Sequence, residues 1–253
     1  MIDYWMAGLS RRVVAGAILV GGMALLAAPA SAPSAAELLT RMDRSRNGWD
    51  SFVVEVKITN YLRGAVDRSS RYQVFIKGDN KSLVKFLEPE DRGKYLLTVD
   101  ELMWFYLMSA SRPIRVTPLQ RLSGNASNGD VAQMNLAQNY TPVSLKEELL
   151  DAAPVYVMDL EAKDSNATYQ KMTYWIARDT TLPVKAEFRL ASGKASKRAL
   201  FVEYQKVDGR MLLRRQEIYD QLRNDEKTVL EYQKYERRDL PDKLFNKNYR
   251  QEL

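Results

Sequence analysis

The side chains available for chemistry in this sequence are carboxylates, serines and arginines, because its 253 residues include no cysteine and no histidine. A thiolate nucleophile, an imidazole base, a disulfide framework and a Cys/His zinc site are thereby excluded. Glu147, Glu148 and Asp151 could exchange protons in a hydrolase, but clustered acids with no second motif to fix a partner have the pattern of a solvated face. Ser123 and Ser127 lie in Gly- and Asn-containing sequence without a G-x-S-x-G elbow, and no histidine can complete a triad. "SNGD" at 127–130 and "DLEAKD" at 159–164 offer oxygen ligands at spacings unlike a calcium loop, so they are read as a turn and a strand end. The expectation is a protein without catalysis, cofactor or metal.

The arginines are more distinctive. "SRPIRVTPLQRLSGNASNGDV", from Ser111 to Val131, interrupts apolar strand-like runs with a long passage carrying Arg112, Arg115 and Arg121. Unstructured loops of this length are uncommon in compact domains unless they bind something or cover something. A guanidinium fork pairs bidentately with carboxylate or phosphate, so Arg112 and Arg115 are candidates to anchor such a passage or to hold an anionic headgroup. Pro118 in a first helical turn would suit a short helix over "PLQRL".

The elements that must position this passage are mostly strands. Ser34 and Glu37 have capping-box spacing, Leu38, Leu39 and Met42 follow at helical spacing, and Gly48 ends one amphipathic helix. From Ser51 the period becomes two: Phe52, Val54, Val56 and Ile58 share one face of a strand, and Tyr72, Val74 and Ile76 share one face of the next. "LMWFYLM" at 102–108, with Trp104 and Tyr106, is apolar on both faces. "PVSLKEELLDAAP" fits either a helix or a strand turning at Asp151–Ala153. Further strands follow, among them one with Val184 and Phe188 opposed to Lys185, Glu187 and Arg189; Ser192-Gly193 and Asp208-Gly209 mark hairpin turns. The C-terminal "DLPDKLFNKNYRQEL" suggests a short helix or two. No repeat of fixed period and no low-complexity linker divides the chain, and hydrophobic and charged contents of 45% and 28% are those of a folded domain.

About ten antiparallel strands, apolar on one face and charged on the other, cannot lie flat in water. With few helices to cover them, the sheet either closes or stays half-open with helices capping its mouth. Phe52, Val54, Val56, Ile58, Tyr72, Val74, Ile76, Trp104, Tyr106, Val184 and Phe188 are the candidates to line an interior able to accept an apolar guest; alternatively they simply fill one another.

Two segments of charge bear on location and partners. Arg11 and Arg12 precede an apolar run from Val13 to Ala28 and the small-residue stretch "APASAPSAA", the layout of a cleavable export signal over residues 1–36, cut after Ala30 or Ala36. A retained membrane anchor is the competing reading of the same run. The net charge of +6 is dispersed among 38 basic and 32 acidic residues. Nucleic acid is therefore not an expected partner, whereas anionic lipid headgroups are compatible.

Several segments together, in order, resemble the outer-membrane lipoprotein-sorting proteins, the LolA-like periplasmic carriers: "SRPIRVTPLQRLSGNASNGDVA", "TYQKMTYWIARDTTLPVKAEFRLASGK", "VDGRMLLRR" and "DLPDKLFNKNYRQEL". The resemblance is to the branch often associated with transporters of the resistance-nodulation-division (RND) type, and it covers Ser34 to Leu253. It implies a mainly β fold, a strongly curved antiparallel sheet forming a half-open barrel with a few helices capping the mouth, as one domain over 37–253. It also implies a periplasmic carrier that holds acyl chains of lipoprotein or free lipid in an apolar cavity and moves them between inner and outer membrane. An inner-membrane RND-type transporter is the partner this branch suggests; the alternative is a non-catalytic docking subunit of such a transporter that binds no lipid. In such a fold the 111–131 passage would be a flap over the barrel mouth.

Overall fold

The computed structural model describes residues 32–78, 80–132, 135–190, 192–221 and 225–248. The expected export signal, with Arg11, Arg12 and cleavage after Ala30, lies outside the described residues. Ala36 is described and falls in the first turn of the first helix.

That helix, α1 (Ala35–Arg46), begins with a complete capping box. The Glu37 amide donates to Ser34 Oγ at 3.3 Å and the Ser34 amide donates to Glu37 Oε2 at 2.7 Å, so the first turn satisfies its own free donors. Leu38, Leu39 and Met42 are buried along one stripe, as their spacing requires.

The strands then form two meanders. The first contains β1 (Ser51–Leu62), β2 (Ala65–Lys77), β3 (Lys81–Phe86), β4 (Tyr95–Val99), β5 (Leu102–Tyr106) and β6 (Ile114–Val116). A connector follows, carrying a small hairpin of β7 (Arg121–Ser123) and β8 (Ala126–Ser127) and two single-turn helices, α2 (Asn128–Val131) and α3 (Leu136–Asn139). The second meander contains β9 (Tyr140–Leu150), β10 (Ala153–Ala162), β11 (Lys171–Ala177), β12 (Pro183–Arg189), β13 (Ala195–Val207), β14 (Arg210–Asp220) and β15 (Glu226–Arg237). Among the described residues, thirteen strands make one antiparallel sheet in the order β6-β5-β4-β3-β2-β1-β15-β14-β13-β12-β11-β10-β9. First and last strands pair at its centre, its edges are β6 and β9, and it does not close into a barrel.

The turns explain two of the elements. Asp151 and Ala152 both have positive φ, 49° and 67°, between the paired residues Leu150 and Ala153, so the segment that fitted either a helix or a strand is a hairpin. Asp208 and Gly209, at 46° and 81°, close the β13–β14 hairpin in the same way. "PLQRL" differs from the expected helix. Thr117–Gln120 is a turn, and β7 begins at Arg121. Pairing Arg121 with Ser127 and Ser123 with Ala126 satisfies the backbone locally where the segment enters the interior.

Register divides the apolar side chains between two faces. Phe52 opposes Ile76, Val54 opposes Val74 and Val56 opposes Tyr72, which puts all six on the concave side. There they join one buried cluster with Met172, Tyr174 and Phe188 of the second meander, Leu38 and Met42 of α1, and Ala126, Val131, Ala132 and Leu136 of the connector. A second, smaller cluster lies on the convex side of the first meander: Val53, Leu83, Tyr95, Leu97 and Tyr106 are covered by Leu240 and Phe245 of the C-terminal segment. A 3₁₀ turn at Asp242–Phe245 takes the place of the helix expected there.

Candidate functional site

The connector determines what the concave face can do. Because β6 and β9 are opposite edges of the sheet, the chain between them must cross from one to the other. It crosses through the interior rather than over the mouth: Ala126 to Ala132 are all buried. Two glycines permit this. A Cβ on Gly124, whose φ is +54°, would collide with Asn60 Oδ1 and Thr228 Oγ1, and one on Gly129 would collide with the Thr168 side chain.

Polar contacts tie the connector at both ends. At the hairpin tip, Asn60 Nδ2 donates to Ser123 Oγ at 3.0 Å, the Asn125 amide donates to Thr228 Oγ1 at 2.8 Å, and Thr228 Oγ1 donates to Asn60 Oδ1 at 3.0 Å. At the other end Asp43 of α1 accepts from the amides of Leu136 and Ala137 at 2.8 and 2.9 Å. Between them lies Asp130, only 3% exposed. Its carboxylate accepts from the Ser127 amide and hydroxyl at 2.9 and 2.8 Å and from Tyr169 Oη at 2.9 Å, and it pairs with Lys197 Nζ at 3.3 Å. Arg46 Nη2 donates to the Asp130 carbonyl at 2.9 Å. Burial first, and the Asp130 carboxylate second, raise the Tyr169 phenol well above its ordinary pKa, so it stays a donor.

Asn125 adds an uncompensated feature. Its side-chain amide is buried, and neither Nδ2 nor Oδ1 has a hydrogen-bond partner among the described residues. Leaving such a group unpaired costs about 1–3 kcal/mol, which weakens the hold on the hairpin tip.

The sequence candidates separate accordingly. Phe52, Val54, Val56, Ile58, Tyr72, Val74, Ile76 and Phe188 are together on the concave face, and Phe188 stacks on Tyr169 at 4.3 Å. Trp104 and Tyr106 are on the convex face beneath the C-terminal segment, because Met103 and Phe105 take the concave positions of β5. With both faces of "LMWFYLM" apolar, the sequence carries no signal for the parity. Val184 is partly buried and belongs to neither cluster; a register shift between β11 and β12 falls beside it. Arg115 lies over the Trp104 ring at 5.0 Å, while Arg112 is exposed and lines a cavity of about 390 Å³ beside Tyr106. Neither arginine forms an ion pair among the described residues.

The concave wall is filled, not empty. Its occupants are α1 and the connector, and the larger cavities open at the two strand-end rims, one of about 910 Å³ and one of about 470 Å³. Both are lined mainly by polar side chains; Tyr72 is the only sequence candidate on either. Sequence reasoning missed Arg46, Asn60, Asp130, Tyr169 and Lys197. A signal existed for one of them: Ser127 and Asp130 have capping-box spacing, and the box is formed. Glu147 pairs with Arg178 at 2.8 Å on an exposed surface, as expected of a solvated acid. Among the described residues no group of three or more acidic side chains could hold a metal ion.

Comparison with known proteins agrees with this architecture. A family model described as "Uncharacterized protein" matches residues 78–251. No curated protein matches the chain. The structure is similar to that of a LolA superfamily protein from Nitrosomonas europaea, with 36% identity, a TM-score of 0.81, and coverage of 86% of this chain and 100% of that one. A DUF1329 family protein from Desulfovibrio piger has the same fold at 21% identity and a TM-score of 0.73, covering 85% of this chain and 97% of its own. So does a domain assigned to an outer membrane lipoprotein-sorting protein from Vibrio parahaemolyticus, at 20% identity and 0.70, covering 84% of this chain and 96% of its own. An identity of 36% along the whole length of the Nitrosomonas protein, with a TM-score of 0.81, identifies this chain as a member of the LolA superfamily.

Proposed function

We propose that this protein is a non-enzymatic periplasmic carrier that takes acyl chains of lipoprotein or free lipid against the concave face and moves them between membranes. The observation that carries the reading is the nature of what fills that face. A continuous apolar wall is covered by a segment rich in small residues and tied down by hydrogen bonds, with an unpaired amide at its tip. Acyl chains could take the place of that segment because they would satisfy the wall at about 0.8 kcal/mol per buried CH₂, while water would satisfy the released polar groups. The structure would then be the closed, unloaded state.

The export signal belongs to the same proposal. Cleavage after Ala30 leaves the Ser34 cap on α1, whereas cleavage after Ala36 removes it together with Glu37's partner. The exported chain is then a single domain to Leu253, and an inner-membrane RND-type transporter is its proposed donor or acceptor.

The filled interior favours a second reading, a docking subunit that never opens and binds no lipid. Purification without detergent, followed by native mass spectrometry and lipid extraction, separates the two. The carrier retains or takes up acyl chains as discrete mass additions; a protein that stays lipid-free when offered lysolipid is the docking subunit instead.

A further inference from the structure

The rim cavity of about 910 Å³ lies between the helical cap and one end of the sheet. Thr40, Asp43 and Arg44 of α1, Asn47 just after it, and Asn135, Ala137 and Gln138 at α3 form one side; the start of β1, the start of β14 and the end of β15 form the other. Four arginines line it, Arg44, Arg210, Arg237 and Arg238, together with Asp50, Asp239 and Asp43, the last already engaged by the Leu136 and Ala137 amides. Arg238 is held bidentately by Glu236, at 3.0 and 2.6 Å. Arg44, Arg210 and Arg237 form no ion pair among the described residues. The cavity at the opposite rim differs in degree: there Arg68 and Lys94 both pair with Asp91 and Lys227 pairs with Glu217, which leaves Arg121 without an ion pair among the described residues.

Trp49 connects the arginine-lined cavity to the interior. Its ring lines the cavity, the Arg210 guanidinium lies 5.9 Å from its centroid, and on the other side it packs edge-on against Phe52 at 6.1 Å. Phe52 is fully buried in the concave cluster and stacks on Tyr235. A cavity lined by charged side chains is therefore joined to the apolar wall by one aromatic contact.

We propose that this cavity is the headgroup site of the carrier, and that it selects amphiphiles whose head bears a phosphate. The proposal rests on the carrier reading for the acyl chains and adds to it the class of head. Three guanidinium forks that form no ion pair among the described residues, although Asp43, Asp50 and Asp239 line the same chamber, match the several oxygens of a phosphate, which accept paired, charge-assisted hydrogen bonds. Arg210, resting on Trp49, marks the point where head meets chain. The three arginines come from α1, β14 and β15, so a phosphate between them would also hold the cap to the sheet rim.

The test compares lysophosphatidylglycerol with a monoacylglycerol of the same chain length, by calorimetric titration of the wild type and of an Arg44→Gln/Arg210→Gln/Arg237→Gln variant. Inorganic phosphate is titrated as a third ligand. The wild type should bind the phosphate-bearing lipid at least about tenfold more tightly than the neutral one, the gain of one or two charge-assisted hydrogen bonds. The variant should lose that preference and keep its affinity for the monoacylglycerol, which also shows that it folds. Equal wild-type affinities for the two lipids, or a preference that survives in the variant, overturn the headgroup site and leave the carrier reading intact. Arginine-dependent binding of inorganic phosphate with no lipid bound overturns both and leaves a free-phosphate site. No binding of any ligand also overturns both.

Discussion

The two meanders carry the same alternating pattern and are stabilised in different ways. The first is buried on both sides, by the concave cluster and by the C-terminal segment that lays Leu240 and Phe245 over its convex face. The second has a continuous buried cluster on its concave face only; its convex side buries scattered residues such as Val155, Val157 and Val229 and carries ion pairs such as Lys185–Glu187 and Arg214–Glu203. Its concave side is rich in tyrosine, and Tyr169 and Lys197 from this half bind the connector through Asp130. The first meander is thus a fixed wall with a second layer behind it. The second supplies Tyr169, Lys197 and Thr228 to the polar hold on the occupant of the interior, where the strands of the first supply Asn60.

Breaking the polar hold should have the largest effect. Asp130→Ala leaves the partly buried Lys197 with only Tyr169 and strips the Ser127 amide and hydroxyl and the Tyr169 hydroxyl of a charged acceptor, a loss of about 3–5 kcal/mol. Chemical denaturation should record that loss, and acyl-chain binding should tighten at the same time because the connector is released. Leu240→Ala acts on the other half. It should cost about 2–5 kcal/mol by opening the convex cluster, with the lipid affinity of the folded protein unchanged.

Acid should act through the second meander. Asp159 is partly buried, which raises its pKa, but hydrogen bonds from Ser144 and Thr173 and the charges of Lys146 and Arg189 outweigh burial and hold it below its usual value of 3.8. A depressed carboxylate contributes stability above its unfolded-state pKa and loses it as pH falls toward the folded one. Melting temperature followed downward from pH 5 should therefore drop less steeply in Asp159→Asn than in the wild type. The smallest effect belongs to the exposed Arg214–Glu203 pair: Arg214→Gln should change stability by no more than about 1 kcal/mol, as a thermal melt would show.

Legibility in the sequence followed the same division. Alternation in β1 and β2 put seven residues on one face together, because that face of each strand is apolar across these residues while the other mixes Val53 and Phe75 with Glu55, Lys57, Arg71 and Gln73. It could not assign Trp104 and Tyr106, since the layer behind β5 makes both of its faces apolar. The capping box at Ser34 was legible because both partners are local. Asp130 has the same local spacing, but its burial depends on Tyr169 and Lys197, 39 and 67 residues away, and "SNGD" alone resembles any solvated turn. The path of the connector was hidden for a similar reason: only knowing that β1 pairs with β15 makes β6 and β9 opposite edges.

The central claim is that acyl chains occupy the concave face when the connector leaves it. The most direct measurement is photolabelling of the intact protein with a diazirine-bearing fatty acid, with the adducts mapped by peptide mass spectrometry. The account predicts adducts on Val54, Val74, Phe188 and their concave neighbours, increased in Asp130→Ala and suppressed by excess unlabelled lipid. Adducts confined to the convex face around Trp104 and Phe245, or none that unlabelled lipid displaces, would contradict it.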